Sequence, residues 1–111
     1  MVEITISTQG NTALIEVSGR IDSMTANQFG QGLSEPIDDG YTQIVLDLAS
    51  VDYMSSAGLR EIVNALKKVR KEKGDLRIAQ PSDRVFEVLE MAGLDTILQI
   101  FHTQAEALQS Y

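Results

Sequence analysis

The sequence predicts one α/β domain: a mixed, mostly parallel sheet of four to five strands flanked by about four helices. Three observations carry this expectation. Strand-like patterns alternate along the chain with patterns that repeat every three to four residues, as in strands joined by helical crossovers. The first two strand patterns have only a short turn between them, so the sheet opens on an antiparallel hairpin. The 111 residues, 43% of them hydrophobic, supply one core and leave little room for a second, so one domain is expected over residues 1–111.

The elements follow in order. Glu3 to Ser7 alternates, with Ile4 and Ile6 on one face, and Thr8 to Asn11 reads as a turn. Ala13 to Val17 is the second strand, and Gly19 to Ser23 then breaks the pattern. Thr25 and Gln28 have capping-box spacing, and Ala26, Phe29, Leu33 and Ile37 follow at helical intervals. Gln43 to Leu48 is a nearly continuous apolar run, as expected of a strand covered on both faces. Leu59, Ile62, Val63, Leu66 and Val69 make the clearest amphipathic stripe, with Gly74 placed as a C-cap glycine. Leu76 to Ala79 is a short strand. Pro81-Ser82 opens a helix that buries Val85, Val88, Leu89 and Ala92 and closes at Gly93. Ile97 to Ile100 reads as a last strand, and Thr103 with Glu106 caps a C-terminal helix.

Composition narrows the function classes. Net charge is −7, which opposes nucleic-acid binding and favours partners with basic surfaces. Lys67, Lys68, Arg70, Lys71 and Lys73 crowd into seven residues; a solvated helix C-terminus explains them better than a docking patch. No cysteine is present, which removes disulfides, thiolate metal sites and cysteine nucleophiles. The N-terminal residues lack a basic-then-apolar leader pattern, and no apolar run approaches the ~20 residues of a membrane span. A cytoplasmic protein is therefore expected.

Catalytic patterns are poor. His102 is the one histidine, and neither a phosphate-binding glycine loop nor a nucleophile elbow occurs. Asp22, Asp47 and Asp52 could in principle share a hard cation, but few protein carboxylates and no clustered spacing make the signal weak. The expectation is no enzymatic turnover, no catalytic residue, no metal and no cofactor.

The informative stretch runs from Asp47 to Arg60: a buried strand, a turn and a helix entry, with Ser55 or Ser56 as the N-cap. Read on its own, the hydroxyl does no more than cap the helix. The order strand-Asp47, turn, Ser55-Ser56-Ala57-Gly58-Leu59-Arg60 resembles the signature of STAS domains, named for sulfate transporters and anti-sigma factor antagonists. Gly19-Arg20-Ile21-Asp22-Ser23-Met24-Thr25-Ala26 resembles that family's Gly-Glu-Leu-Asp-x-x-Thr-Ala segment. Leu76-Arg77-Ile78-Ala79, Pro81-Ser82 and Val88-Leu89-Glu90-Met91-Ala92-Gly93-Leu94-Asp95 resemble its C-terminal half.

The resemblance implies a bacterial partner switch, an anti-sigma factor antagonist. Its unphosphorylated form binds an anti-sigma factor serine kinase and frees a sigma factor; phosphorylation releases it, and a serine phosphatase resets it. The resemblance puts the phosphoacceptor on Ser56, with Ser55 as a rival because many members have Asp there. It gives Asp22 and Asp47 supporting roles at the site; Asp22 is expected either close to Ser56, both lying in loops at the C-terminal ends of neighbouring strands, or as a turn aspartate bonding its own backbone. The other readings are a non-phosphorylated STAS adaptor subunit of a lipid or solute transporter, a scaffold component of a signalling assembly, and a nucleotide-binding or hydrolytic domain. A chain that begins at Met and lacks a membrane segment fits a free-standing switch better than an adaptor.

Overall fold

The computed structural model describes all residues, Met1–Tyr111. Alternating Ile4 and Ile6 place β1 (Val2–Gln9) against β2 (Thr12–Ile21) in an antiparallel pair whose register runs unbroken from Val2↔Gly19 to Gln9↔Thr12. β2 then pairs in parallel with β3 (Gln43–Met54), β3 with β4 (Asp75–Ala79), and β4 with β5 (Ile100–Phe101). Strand order is β1-β2-β3-β4-β5, so every crossover joins sheet neighbours. The crossover helices are α1 (Ala26–Asp38), α2 (Ser56–Lys71) and α3 (Asp83–Met91); α4 (Gln104–Gln109) follows β5.

Strand alternation decides which face holds the core. Ile15, Val17, Ile44, Leu46, Leu48, Leu76 and Ile78 point to one face, where α1, α2 and α3 bury Phe29, Leu33, Ile62, Leu66, Val69, Val85 and Leu89. The other face has only α4, which covers Val45 and Ala79 with Ala107. Full burial of a Leu, Ile or Phe side chain contributes about 1.5–3 kcal/mol, so the three-helix face dominates stability. No helix is long and apolar enough to cross a membrane.

Four sequence expectations are corrected. β2 reaches Ile21 and β3 reaches Met54, where shorter strands and a turn were expected. The register shifts twice, between Glu16 and Ser18 and between Gly19 and Arg20, and β3 absorbs an extra residue each time. Such bulges let a strand continue through residues that look like a loop; Gly19, on β2 beside the second one, is at φ +105°, and a Cβ there would lie 2.2 Å from the Met1 carbonyl oxygen.

Thr25 and Gln28 form no capping box. The Thr25 hydroxyl donates to the Arg20 carbonyl (2.9 Å), and the Gln28 amide donates to the Val2 carbonyl (3.3 Å). Gly74 is not the left-handed residue closing α2; Lys73 is, at φ 65°. Lys73 N–H donates to the Arg70 carbonyl and Gly74 N–H to the Val69 carbonyl, a Schellman ending. A Cβ on Gly74 would lie 2.0 Å from the Thr42 carbonyl oxygen, so close approach demands the glycine.

Of the strand expected at Ile97–Ile100 only Ile100 is strand; residues 97–99 are the exit from a 3-10 turn (Leu94–Thr96), and β5 is the two residues Ile100–Phe101. Two burial expectations also shift: Leu66 is core, but Leu59 is half-buried at the flank of α2, and Ala92 is exposed.

Candidate functional site

β2 and β3 end side by side, and α2 leaves directly from the end of β3. Arg20 pairs with Tyr53 and Ile21 with Met54. One step on, the Ser55 N–H donates to the Ile21 carbonyl (2.8 Å), which ties the start of α2 to the loop that begins at Asp22. Ser55, in extended conformation, is the N-cap, and its Oγ accepts from the Gly58 N–H (3.3 Å). Gly58 is buried because its Cα sits against the strand ends. A Cβ there would be 2.5 Å from Met54 Sδ and 2.6 Å from Ile21 Cγ2.

Ser56 is the first residue of α2 and is exposed. Its hydroxyl takes no hydrogen bond from the protein, whereas that of Ser55 is engaged in the cap. The two serines, equivalent in the sequence, are thus different in chemistry. The first-turn N–H groups of α2 lie around Ser56, where positive partial charge favours an anion.

The loop after β2 is organised by Asp22. Its Oδ1 accepts from the Met24 N–H (2.9 Å) and the Thr25 N–H (3.1 Å), and its Oδ2 accepts from Arg20 Nε (3.2 Å). The Met24 N–H does most to hold the Asp22 carboxyl below the usual carboxylate value. Desolvation opposes this, and the Thr25 N–H, Arg20 and the Thr25 hydroxyl add to the lowering. Asp22 therefore stays ionised while it binds its own turn, in the manner of an Asx turn. Through Ile21 its loop adjoins Ser55, and no side-chain hydrogen bond joins Asp22 to either serine.

Residues 3–107 match the family model for the STAS domain. This chain belongs to the STAS domain family. The anti-sigma-B factor antagonist of Listeria monocytogenes is 34% identical over 93 residues, covering 83% of this chain and 81% of the relative. Among solved structures, an anti-sigma factor antagonist from Mycobacterium paratuberculosis superposes with a TM-score of 0.90 at 24% identity, over 99% of this chain and 93% of that one. The anti-sigma factor antagonist SpoIIAA in its unphosphorylated form gives 0.84 at 21% identity, over 97% and 95%. The phosphorylated form of Bacillus SpoIIAA gives 0.76 at 20%, over 97% and 98%. These structural likenesses show the shared fold.

Within this STAS domain, Asp47 does not join the serine pair. It was expected at a strand end, but β3 runs on for seven further residues to Met54, roughly 20 Å at strand rise. Asp47 is 6% exposed, and its carboxylate accepts from the Ala49 N–H (2.9 Å), the Gln80 amide (2.9 Å) and the Gln104 amide (2.7 Å). It holds α4 and the end of β4 onto the less covered face. Gln80 and Gln104 carried no sequence signal, because glutamines far apart in the chain advertise no pairing. Arg20 and Tyr53 were missed likewise: the guanidinium lies over the Tyr53 ring, 4.0 Å from its centroid. Only the bulged register brings them together. In the basic cluster, Lys68 pairs with Asp38, and Arg70 binds the Ile97 carbonyl (3.0 Å) and Asp75 (3.4 Å). Two of its five cations are thus tied to the domain's own surface, as a helix end would have them.

Proposed function

We propose that this protein is an anti-sigma factor antagonist that works as a phosphorylation-controlled switch at Ser56. Unphosphorylated, it binds an anti-sigma factor serine kinase through the surface around the start of α2, without catalysis of its own. Transfer of a phosphoryl group from the kinase's ATP to the Ser56 Oγ, with loss of the hydroxyl proton, releases it. A serine phosphatase hydrolyses the phosphoester and restores binding.

The observation that carries the reading is the contrast between the serines: Ser56 presents an exposed, unbonded hydroxyl, while Ser55 uses its own to cap α2. The relatives named as anti-sigma factor antagonists support the class of partner, and a neighbour of the same fold solved in a phosphorylated form supports the class of modification. A phosphate adds about −1.5 to −2 charge at neutral pH. The free helix N-terminus tolerates it, while a packed interface must desolvate it.

The test is incubation of the purified protein with the cognate kinase and ATP, followed by mass spectrometry and binding measurements. Phosphate is expected on Ser56 and persists in Ser55→Ala. Ser56→Ala binds and stays bound, and Ser56→Asp folds but binds poorly. A loss of ~3 kcal/mol corresponds to roughly a hundredfold weaker complex. Equal binding by phosphorylated and unphosphorylated protein would refute the switch and leave the adaptor reading in its place.

A further inference from the structure

The guanidinium of Arg20 occupies an unusual position for an exposed cation. It is fixed from two sides, by the Tyr53 ring beneath it and by the Asp22 carboxylate on Nε. The side chain is still 55% exposed, and neither Nη1 nor Nη2 makes a hydrogen bond. An arginine held by stacking and by Nε has its rotamer entropy already spent, and it offers a free pair of donors suited to a phosphate.

Its location gives that pair a target. Arg20 is the register partner of Tyr53, and Ser56 is three residues beyond Tyr53. Even fully extended, three residues span about 10 Å, and the tie from Ser55 N–H to the Ile21 carbonyl keeps the two chains adjacent to that point.

We infer that Arg20 is the protein's own receptor for a phosphate on Ser56, its Nη1 and Nη2 donating to the phosphoryl oxygens while Nε stays on Asp22 and the plane stays on Tyr53. This rests on the reading of Ser56 as the modified residue. The role is electrostatic: Arg20 stands as counter-charge between the new dianion and the fixed negative charge of Asp22. The phosphorylated protein is then stabilised as a free species, which favours release from a partner. The other charged groups in the neighbourhood are Asp52 beside Tyr53 on β3, Arg60 and Glu61 on α2, and the α-amino group of Met1, whose carbonyl accepts from the Arg20 N–H (3.2 Å). Arg60 is the competing cation, because it lies one turn along from Ser56 on the same helix.

The experiment uses protein synthesised with phosphoserine incorporated at position 56, so that no kinase is needed. The phosphate resonance is titrated by phosphorus NMR in the otherwise unchanged protein and in Arg20→Gln, Arg60→Gln and Arg20→Lys. A free phosphoserine has its second ionisation near pH ~6. With Arg20 intact it is expected to fall by about half a unit to one unit, as for an anion beside an opposite charge. Arg20→Gln returns most of that shift, and Arg20→Lys keeps part of it. Repeating Arg20→Gln in an Asp22→Asn background separates a direct contact from relief of repulsion by Asp22: the loss persists if Arg20 touches the phosphate and vanishes if it acted only on Asp22. A titration unchanged by Arg20→Gln, or one whose whole shift disappears with Arg60→Gln, overturns the inference. Neither outcome bears on whether a kinase modifies Ser56, which the mass-spectrometric test decides separately.

Discussion

Two helix glycines make opposite predictions from one observation, the space a Cβ would meet. Replacing a helical glycine by alanine gains up to about 1 kcal/mol of intrinsic propensity. At Gly58 the new methyl would sit 2.5 Å from Met54 Sδ and 2.6 Å from Ile21 Cγ2, each about 1 Å inside ordinary contact. Met54 can rotate, but Ile21 is β-branched and fully buried, and its carbonyl is the acceptor that holds Ser55. Overpacking of this kind costs about 1–3 kcal/mol, and in the first turn the propensity gain is at its smallest. A net loss of about 1–2 kcal/mol is expected for Gly58→Ala, lowering Tm by roughly 4–8 °C. At Gly30 the methyl would meet only the carboxylate end of Glu61, a flexible side chain that can swing away. Gly30→Ala is therefore expected to be neutral or to gain up to about 1 kcal/mol. Urea denaturation of both variants, with phosphorylation by the kinase followed in parallel, measures the contrast. A stabilised Gly58→Ala that is phosphorylated at the wild-type rate would refute the claim that α2 is wedged against the ends of β2 and β3.

Asp47→Ala removes the acceptor of three hydrogen bonds and leaves the Gln80 and Gln104 amides short of partners. A loss of about 2–4 kcal/mol is expected in urea denaturation, with phosphorylation of the folded variant at the wild-type rate; slowed phosphorylation with unchanged stability would return Asp47 to the serine site. Tyr111 donates its hydroxyl between the Ile44 and Asp75 carbonyls (2.7 Å each) under the Arg77 guanidinium. Burial, with Asp75 adding to it, pushes its ionisation well above the ordinary value. Because the folded value is raised, the contribution is fully present below the unfolded value near ~10 and is lost as pH rises above it. Stability measured at pH 8 and pH 11 should fall less in Tyr111→Phe than in the unaltered protein; equal slopes would show that this hydroxyl is not sequestered.

The parts of the fold legible in the sequence were those with one strong periodic signal. Ile62, Leu66 and Val69 on α2, and Phe29, Leu33 and Ile37 on α1, are buried as their spacing requires. The hairpin and the parallel order followed from element order alone. What misled was the far half of β3. Ala49, Ser50 and Asp52 are exposed because only α4 covers their side of the sheet, so the apolar run stops at Leu48 and resembles a strand end. That ending makes Asp47 read as a strand-end residue, while its supporting role at the serines is what the resemblance implies. The same bulges hid the Arg20–Tyr53 stack, since pairing across parallel strands depends on register, and two extra residues in β3 set it. At the site, sequence fixed the helix entry to Ser55 or Ser56, and only the path of the backbone distinguished the capping hydroxyl from the free one.

The same packing constrains how a switch at Ser56 can operate. A phosphate changes binding either by refolding the segment that carries it or by altering the contact where it sits. Refolding would mean withdrawing α2, whose Ile62, Leu66 and Val69 are at most 3% exposed in the main core. Truncating a single such leucine costs about 2–5 kcal/mol, so releasing the helix exceeds what one modification supplies. Its first turn is pinned as well, by the Ser55 N–H on the Ile21 carbonyl and by Gly58 against Ile21 and Met54. A ligand or modification shifts an equilibrium only by its differential interaction with the two states. With the free domain rigid at this point, the difference does not come from a change of fold: it arises in the complex, where the partner closes over the start of α2 and removes water from the phosphate, and in the free protein, where Arg20 is inferred to supply the counter-charge. The proposed switch is then a matter of local contacts and not of refolding, and what the fold contributes is a fixed place for Ser56 with its hydroxyl free of the cap.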